Sequence, residues 1–419
     1  MGIKEKRFKR LMKVDDALGI LLSQIQRKEV IEKVSIVDAV GRVLAEDIVA
    51  EEDIPCFNRS AVDGYAVRSR DTFGASSISP VRLKVVGKVD VGEHPSISIG
   101  EGEATEIATG AVIPDGADAV VMCEDVKTID GEIDVLKSVT PLENISLKGE
   151  DIRKGDVIAK RGLVLRPWDI GVLASLNIAY VNVIARIRVA VFSTGSELVE
   201  VGTKPPLGKL VNSTKSLVLS AAKELGCEPL DLGLVPDDVS EISKKMEEGV
   251  DTADVLITTG GTSVGKRDYV KEALEEIGGA ILAHGIAMKP GKPTGLGLLR
   301  GKPVIMLSGY PVAALVGFEA FVKPLIYHML GTREQPKAMI KAKLTRRVAS
   351  TPGTRSYLRV FVEKREGVFY AEPLRLTGSG VLSSVVRANG IVIIPEHRDG
   401  FDEGEEVDVQ LIRPVLEGS

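Results

Sequence analysis

The sequence predicts a multidomain α/β plus β protein with an elongated N-terminal domain, an inserted β-rich domain, a central parallel-sheet α/β domain and a small C-terminal β-barrel. Three observations lead to this prediction. The chain has 419 residues, more than one ordinary core accommodates. Apolar strand-like runs alternate with helical patterns between residues 186 and 334. After Gln335 the helical patterns stop, and short β-like runs replace them.

The central domain is predicted from four near-continuous apolar runs, IRVAVFS, EPLDLGLV, DVLITT and KPVIML. Helical patterns at 214–225, 239–248, 268–277 and 311–329 follow them in turn. Buried strands that alternate with helices indicate βαβ units and a mostly parallel sheet. The later runs MIKAKLTRRV, YLRVFVEK, VFYAEPLRL and EEVDVQLI predict a small β-barrel or sandwich.

The first half of the chain predicts an insertion. Residues 14–29 have helical spacing, and residues 53–140 hold short β-like runs separated by Gly, Pro and Asp. Residues 151–167 resemble a strand pair, and Pro167 suits the start of a helix over 168–177. We therefore predict a discontinuous first domain (1–52 and 141–185), the inserted domain (53–140), the α/β domain (186–334) and the barrel domain (335–419).

Composition argues against several function classes. A formal net charge of −5 and an aromatic content of 4% disfavour a nucleic-acid binder, which needs a basic face and stacking side chains. Cys56, Cys123 and Cys227 are scattered, as are the four histidines, which disfavours disulfides and a zinc site. No secretory signal or run of about 20 apolar residues is evident, so a cytoplasmic protein is expected.

Three turns rich in glycine and hydroxyl groups follow predicted strands of the α/β domain. They comprise Thr194 and Gly195, then Gly260, Gly261, Ser263 and Gly265, and finally Ser308 with Gly309. In parallel sheets, ligands bind at the carboxyl ends of strands, and glycine turns let backbone N–H groups approach an anion. The turns therefore predict a phosphate site, with tight strand-to-helix connections as the structural alternative.

Residues 260–266 also match the GxxxxGK part of a P-loop. Position 267 is Arg267 rather than Ser or Thr, so the hydroxyl that would contact magnesium is missing. We therefore reject a P-loop nucleoside triphosphatase.

Two lysines, Lys289 and Lys292, lie in the run KPGKP. The prolines restrict the loop, so paired ammonium groups would bind an oxyanion such as phosphate or molybdate with little loss of entropy. This loop is therefore predicted to bind the substrate.

Three carboxylates, Glu197, Asp237 and Asp268, follow strand ends at the same predicted sheet edge. Acidic side chains beside a phosphate site are unfavourable unless a cation bridges them, which indicates Mg²⁺ or activation of water. For any one of them, helix capping is the alternative role. We therefore expect Mg²⁺ as the cofactor, with these three residues as its ligands and Glu197 and Asp268 as candidate catalytic groups.

Six motifs occur in order along the chain. They are DIP with NRSAVDGYA (53–66), ATGA with PDGADAVV (108–121), STGSEL (193–198), GGTSVGKRDY (260–269), MKPGKP (288–293) and GSGVLSSVVRANG (378–390). Together they resemble the molybdopterin molybdenumtransferase family, the molybdenum insertases of the MoeA and gephyrin E-domain type. The resemblance covers essentially the whole chain.

The resemblance implies a homodimer whose active cleft combines the inserted domain of one subunit with the third and fourth domains of the other. It implies insertion of molybdate, or tungstate, into adenylylated molybdopterin, with release of AMP in the presence of Mg²⁺. The family's functional positions fall on Asp63, Thr109, Glu197, Asp237, Asp268, Lys289, Lys292, Arg359 and Ser383. Asp63 is expected to orient the substrate from the partner subunit, and Arg359 and Ser383 to contact the oxyanion.

Two positions depart from the family pattern. Ser308-Gly309-Tyr310-Pro311 stands where many members have Pro-Gly-Asn-Pro, and Gly285 stands where some have lysine. Two alternatives to metal insertion stay open. The first is an adenylyltransferase that acts on molybdopterin with ATP, whose domain resembles the α/β domain (186–334) of this chain. A gephyrin-like scaffold without catalysis is disfavoured by the intact carboxylates.

Overall fold

The structure, a computed structural model, describes residues 11–261, 268–374 and 380–415. The chain divides into two compact units. One contains the described residues of Met1–Glu32, Gly41–Val43 and Ile184–Ser419, and the other contains Lys33–Val40 and Leu44–Val183. The four predicted domain boundaries stay a prediction, because this division is coarser than they are.

The described chain begins with helix α1 (Val14–Gln24), which ends before the predicted residue 29 because Ile25 is extended. Short strands then dominate to residue 184. They are β1 (Ile31–Ser35), β2 (Ile48–Val49), β3 (Arg59–Ser60), β4 (Gly64–Val67), β5 (Val81–Val89), β6 (Glu103–Ile107), β7 (Ala119–Met122), β8 (Val126–Ile129), β9 (Glu132–Val135), β10 (Ile145–Ser146), β11 (Val157–Ala159) and β12 (Tyr180–Ile184), with helix α2 (Pro167–Ser175).

Six of these strands form one sheet in the order β7-β4-β6-β5-β9-β8, in which only β5 and β6 run parallel. The β-rich character predicted for this region is confirmed. The predicted strand pair within 151–167 is wrong, because β11 pairs with β2 instead. Helix α2 begins at Pro167 as predicted, and the Asp169 carboxylate accepts the N–H of Arg166 at 2.8 Å.

The central domain has the predicted alternation. Its elements are β13 (Arg188–Thr194), β14 (Leu198–Val199), β15 (Leu210–Val211), α3 (Ser213–Glu224), β16 (Glu228–Val235), α4 (Val239–Thr252), β17 (Val255–Thr259), α5 (Tyr269–Glu276), β18 (Ala280–His284), β19 (Met288–Lys289), β20 (Gly295–Leu299), β21 (Lys302–Leu307), α6 (Pro311–Gly317) and α7 (Lys323–Met329). The main sheet has the order β16-β13-β17-β21-β20-β18, and its first four strands are parallel. The last two, β20 and β18, are antiparallel additions that the sequence analysis missed.

Both faces of this sheet are buried, as its apolar runs predict. Val191 and Ile257 join a core with helices α1, α3, α6 and α7 on one face. Their neighbours Phe192 and Leu256 join a second core with α4 and α5. Because successive side chains of a strand point to opposite faces, each strand contributes to both cores.

The predicted helix at 311–329 is present as a continuous helical run with an internal change of geometry. A π-helical turn, Phe318–Val322, separates α6 from α7. Within the described residues, Pro311–Met329 is the one helix long and apolar enough to cross a membrane, and 61% of its apolar window is buried inside the protein.

The C-terminal part is the predicted β-barrel. Its elements are β22 (Met339–Leu344), β23 (Val348–Ala349), β24 (Arg355–Arg365), β25 (Val368–Pro373), α8 (Ser383–Arg387), β26 (Gly390–Ile394), β27 (Gly400–Phe401) and β28 (Glu406–Leu411). Strands β24, β25, β22, β28 and β26 are paired in that order, and β26 pairs with β24 to close the ring. Strand β19 of the lysine loop also pairs with β24, so the loop is joined to the barrel.

Candidate functional site

The turns after β13, β17 and β21 lie side by side, because these three strands are neighbours in the sheet. At Gly260 the backbone has a φ of +89°, and a Cβ there would lie 2.2 Å from the carbonyl oxygen of Thr194. A Cβ on Gly309 would lie 3.3 Å from the Cα of Gly260. The backbones of the three turns therefore approach one another as only glycine permits at position 260. Two predicted residues of the second turn, Ser263 and Gly265, lie outside the described residues.

Asp237, which follows β16, braces the first turn. Its Oδ1 accepts a hydrogen bond from Oγ1 of Thr194 at 2.7 Å, and its Oδ2 accepts one from the N–H of Ser196 at 3.3 Å. Both carboxylate oxygens are thus used to hold the turn that contains Gly195. Thr194 is only 1% exposed, so its hydroxyl acts through this contact rather than as an open donor.

Asp268 caps helix α5. Its Oδ1 accepts the N–H of Lys271 at 3.1 Å, and its Oδ2 lies 2.8 Å from Nε2 of His284. The capping alternative therefore applies to this residue. Glu197, in contrast, is exposed beside the first turn. Among the residues that the structure describes, no three His, Cys, Asp or Glu side chains group as a metal site, so the predicted metal ligands are not preassembled.

A cavity of about 620 Å³, called here the cationic cavity, opens beside the lysine loop. Its positive groups are Lys289, Lys292 and Arg359. Hydroxyl-bearing residues complete its polar lining, namely Ser308, Tyr310, Thr351, Thr354, Ser356 and Tyr357. No Asp or Glu is among its described lining residues, and neither lysine forms an ion pair with a described residue. A cavity with cations and hydroxyl donors but without carboxylates favours an oxyanion.

Arg359 is held in the wall of this cavity. Its Nε donates to Oγ of Ser384 at 2.9 Å, and burial lowers the pKa of its guanidinium. Ser383, which is predicted to contact the oxyanion, is exposed at the first position of α8, and the residue that contacts the arginine is its neighbour Ser384. The sequence analysis missed this serine, although the two are adjacent in the same motif.

A second cavity, of about 650 Å³ and called here the glycine-turn cavity, lies at the ends of the parallel strands. Thr194, Glu197, Gly260 and Gly261 line it, as does the start of helix α3 at 212–214. The two cavities share three lining residues, which are Pro293, Ser308 and Tyr310. The α3 start was missed as a site, although its Asn-Ser-Thr sequence marks a helix beginning.

The remaining predicted pair, Asp63 and Thr109, belongs to the other compact unit. Thr109 donates both its N–H, at 2.7 Å, and its hydroxyl, at 2.8 Å, to Oδ1 of Asp63. These bonds, the backbone one first, lower the pKa of the Asp63 carboxyl below its usual value. The structure therefore brings these two residues together as an ionised, exposed pair.

Known proteins match the chain over nearly its whole length. Three family descriptions apply in order: MoeA N-terminal region (domain I and II) over residues 12–177, probable molybdopterin binding domain over 190–328, and MoeA C-terminal region (domain IV) over 341–412. The molybdopterin molybdenumtransferase of Staphylococcus aureus (strain COL) is 37% identical over 378 residues, which cover 90% of each chain. That of Bacillus subtilis (strain 168) is 35% identical over 404 residues, covering 96% of this chain and 94% of the relative.

A solved structure agrees with these matches. The crystal structure of the molybdopterin biosynthesis MoeA protein of Pyrococcus horikosii aligns with a TM-score of 0.84 and 40% identity, covering 97% of this chain and 100% of that one. The match confirms the predicted multidomain α/β plus β fold class. The chain therefore belongs to the MoeA family of molybdopterin biosynthesis proteins.

Proposed function

We propose that this protein is a molybdopterin molybdenumtransferase of molybdenum cofactor biosynthesis, which inserts molybdate or tungstate into adenylylated molybdopterin and releases AMP. The observation that carries the proposal is the adjacency of the cationic cavity and the glycine-turn cavity, which share Pro293, Ser308 and Tyr310. An oxyanion in the first and a phosphorylated substrate in the second would be neighbours. Metal insertion needs that arrangement, because the oxyanion must reach the substrate.

The cationic cavity suits molybdate for two reasons. Its cations outnumber its described acids, so a dianion gains from every charge there without a repelling carboxylate. Lys289 is also fixed at one end by the pairing of β19 with β24, which limits the ordering cost of binding. Molybdate and tungstate are nearly alike in size and charge, so both are expected to bind.

The glycine-turn cavity suits the phosphates of the substrate. Glycine turns and the start of a helix expose backbone N–H groups, which favour an anion. Attack of water on the phosphoanhydride would give AMP, which leaves this cavity, and molybdopterin phosphate, which stays in it. The molybdopterin phosphate that remains in the glycine-turn cavity would keep the pterin beside the oxyanion.

We infer that Mg²⁺ takes part with Glu197 as its main protein ligand. Mg²⁺ usually takes one or two carboxylates together with substrate phosphates, and Glu197 is an exposed carboxylate on the wall of the glycine-turn cavity. Both oxygens of Asp237 and of Asp268 already have partners, so these residues would shape the turns around the phosphates. Bound Mg²⁺ would supply neutralisation of charge on the phosphate oxygens.

We further propose a cytoplasmic homodimer in which Asp63 and Thr109 of one subunit complete the site of the other. The bonds from Thr109 lower the pKa of the exposed Asp63 carboxyl, which favours the negative charge expected of a group that orients a substrate. Mixing Asp63→Asn protein with Lys289→Met protein tests this proposal. A shared site would restore part of the activity that each variant lacks, whereas a site within one subunit would restore none.

The decisive assay measures AMP released from adenylylated molybdopterin with Mg²⁺, with and without molybdate. We expect release to require the protein and Mg²⁺, and molybdenum to appear on the pterin product. Lys289→Met should weaken molybdate binding, while Lys223→Met, at an exposed lysine outside both cavities, should leave it unchanged. Formation of adenylylated molybdopterin from ATP and molybdopterin without molybdate would favour the adenylyltransferase instead. A chain that does neither would favour the scaffold.

A further inference from the structure

We propose that the ring of Tyr310 stacks on a planar heteroaromatic ring of the substrate, either the pterin or the adenine, at the wall between the two cavities. The proposal rests on the proposed function, because both rings belong to adenylylated molybdopterin.

Tyr310 is placed to meet a ligand in either cavity. It lines both, and 61% of its surface is exposed. The other tyrosine of the cationic cavity, Tyr357, is largely enclosed, and burial raises the pKa of its phenol. The described residues place neither a cation nor a second aromatic ring over Tyr310. An open aromatic ring between two polar cavities offers a planar apolar surface to a ligand.

The backbone that carries this ring is fixed from several sides. The N–H of Tyr310 donates to Oγ of Ser308 at 3.3 Å, and the carbonyl of Gly309 accepts the hydroxyl of Thr214 at 2.7 Å. Pro311 begins helix α6 immediately afterwards and is buried. The ring therefore starts from a rigid position, and stacking would cost little further backbone entropy.

Close packing also surrounds the ring on one side. A Cβ on Gly380 would lie 3.3 Å from Cδ1 and 3.6 Å from Cε1 of Tyr310. Glycine at 380 thus leaves room for the ring beside the chain that leads into α8. The hydroxyl of Tyr310 forms no hydrogen bond to another described residue.

A phenylalanine variant distinguishes stacking by the ring from hydrogen bonding by the phenol. Stacking predicts that the variant keeps the native ligand affinity, whereas hydrogen bonding predicts that it loses affinity. Tyr310→Phe keeps the ring and loses the hydroxyl, whereas Tyr310→Asn loses both. Because Tyr310 is exposed and lies at a turn, both variants should fold. Tyr180→Asn is the matched control, since Tyr180 is 59% exposed and lies outside both cavities.

The test measures binding of three probes by calorimetry: AMP, ribose 5-phosphate and pterin-6-carboxylate. Base stacking on an aromatic side chain contributes about 1–3 kcal/mol, so its loss should weaken binding roughly 5- to 150-fold. We expect Tyr310→Asn to weaken AMP or the pterin probe by this amount, with Tyr310→Phe and Tyr180→Asn near the native value. Loss for AMP alone assigns the ring to adenine, and loss for the pterin probe alone assigns it to the pterin.

Several outcomes would overturn the stacking proposal. Unchanged affinity of Tyr310→Asn for both aromatic probes would do so, as would failure of the native protein to bind either of them. Equal weakening of ribose 5-phosphate would point to a distorted turn instead of a lost stack. A Tyr310→Phe variant as weak as Tyr310→Asn would assign the effect to the hydroxyl. The release of AMP by the native protein, measured separately, tests the proposed function independently of all these results.

Discussion

Replacing Gly260 by alanine should destabilise the central sheet more than any ordinary glycine-to-alanine change. An alanine at a φ of +89° adopts a left-handed conformation, which costs about 1–2 kcal/mol. Its Cβ would also lie 2.2 Å from the carbonyl oxygen of Thr194, a backbone atom that cannot rotate away. Forcing an extra carbon into a packed position costs typically about 1–3 kcal/mol. We therefore expect a loss of roughly 2–5 kcal/mol in the free energy of opening this part of the sheet.

Gly278→Ala separates the two contributions. Gly278 has a φ of +77°, close to that of Gly260, but nothing lies within 4 Å of its Cβ position. Native-state hydrogen exchange of the β13 and β17 amides measures local opening free energies in both variants. The Gly260→Ala loss should exceed the Gly278→Ala loss by the clash contribution, and AMP should bind more weakly to the first variant alone. Equal losses in stability would refute the close approach of the turns as the reason for glycine at position 260.

Three further outcomes follow from local contacts. Thr109→Val should raise the pKa of Asp63 only part of the way to its usual value, because the hydrogen bond from the backbone N–H remains. In the native protein, both bonds stabilise the fold at pH values above the usual pKa and are lost as the pH falls through the lowered pKa. NMR titration of the Asp63 carboxyl measures both effects. Ser384→Ala removes an acceptor of Arg359 and should cost about 1–3 kcal/mol in urea unfolding while weakening molybdate binding. Burial raises the pKa of the Cys227 thiol to about 12, so at pH 8 a thiol reagent should label the two exposed cysteines and reach Cys227 only after denaturation.

The central sheet was predictable because its parallel strands are buried on both faces and therefore read as unbroken apolar runs. Strands β18 (AILAH) and β20 (GLGLL) were not predictable, because both are short and β20 contains two glycines. Strand β20 pairs with β21, and β18 pairs with β20; which strands become neighbours in this way is not encoded by local propensity. The same limit explains the false strand pair at 151–167, where β11 finds its partner more than a hundred residues earlier in the chain.

The candidate site was predictable where the backbone requires a certain residue type. It was not predictable where the fold brings residues distant in sequence to the cavity. Glycine turns after apolar runs identified one cavity, because strand ends of a parallel sheet share an edge. Thr351, Thr354 and Ser356 reach the cationic cavity from the barrel, and nothing in the KPGKP run indicates them. For Asp237 and Asp268, only the structure shows that each carboxylate oxygen lies within 3.3 Å of a hydroxyl or nitrogen of a neighbouring residue.

Two of the three cations of the cationic cavity, Lys289 and Arg359, lie on the paired strands β19 and β24. Lys289 pairs with Ser356 in the register of β19 and β24, and Arg359 lies three residues further along β24. Lys292 follows Lys289 through a turn in which the N–H of Thr294 donates to the carbonyl of Gly291 at 2.9 Å. The strand pairing holds the backbone of this wall in place, so an oxyanion would meet positive groups on a preformed cavity wall. The same strand pairing joins the lysine loop to the barrel, and the loop continues into β20 of the central sheet. In the proposed function, oxyanion binding would therefore depend on the barrel as well as on the lysine loop and the glycine turns, and only the loop and the turns were indicated as sites by their own residues in the sequence.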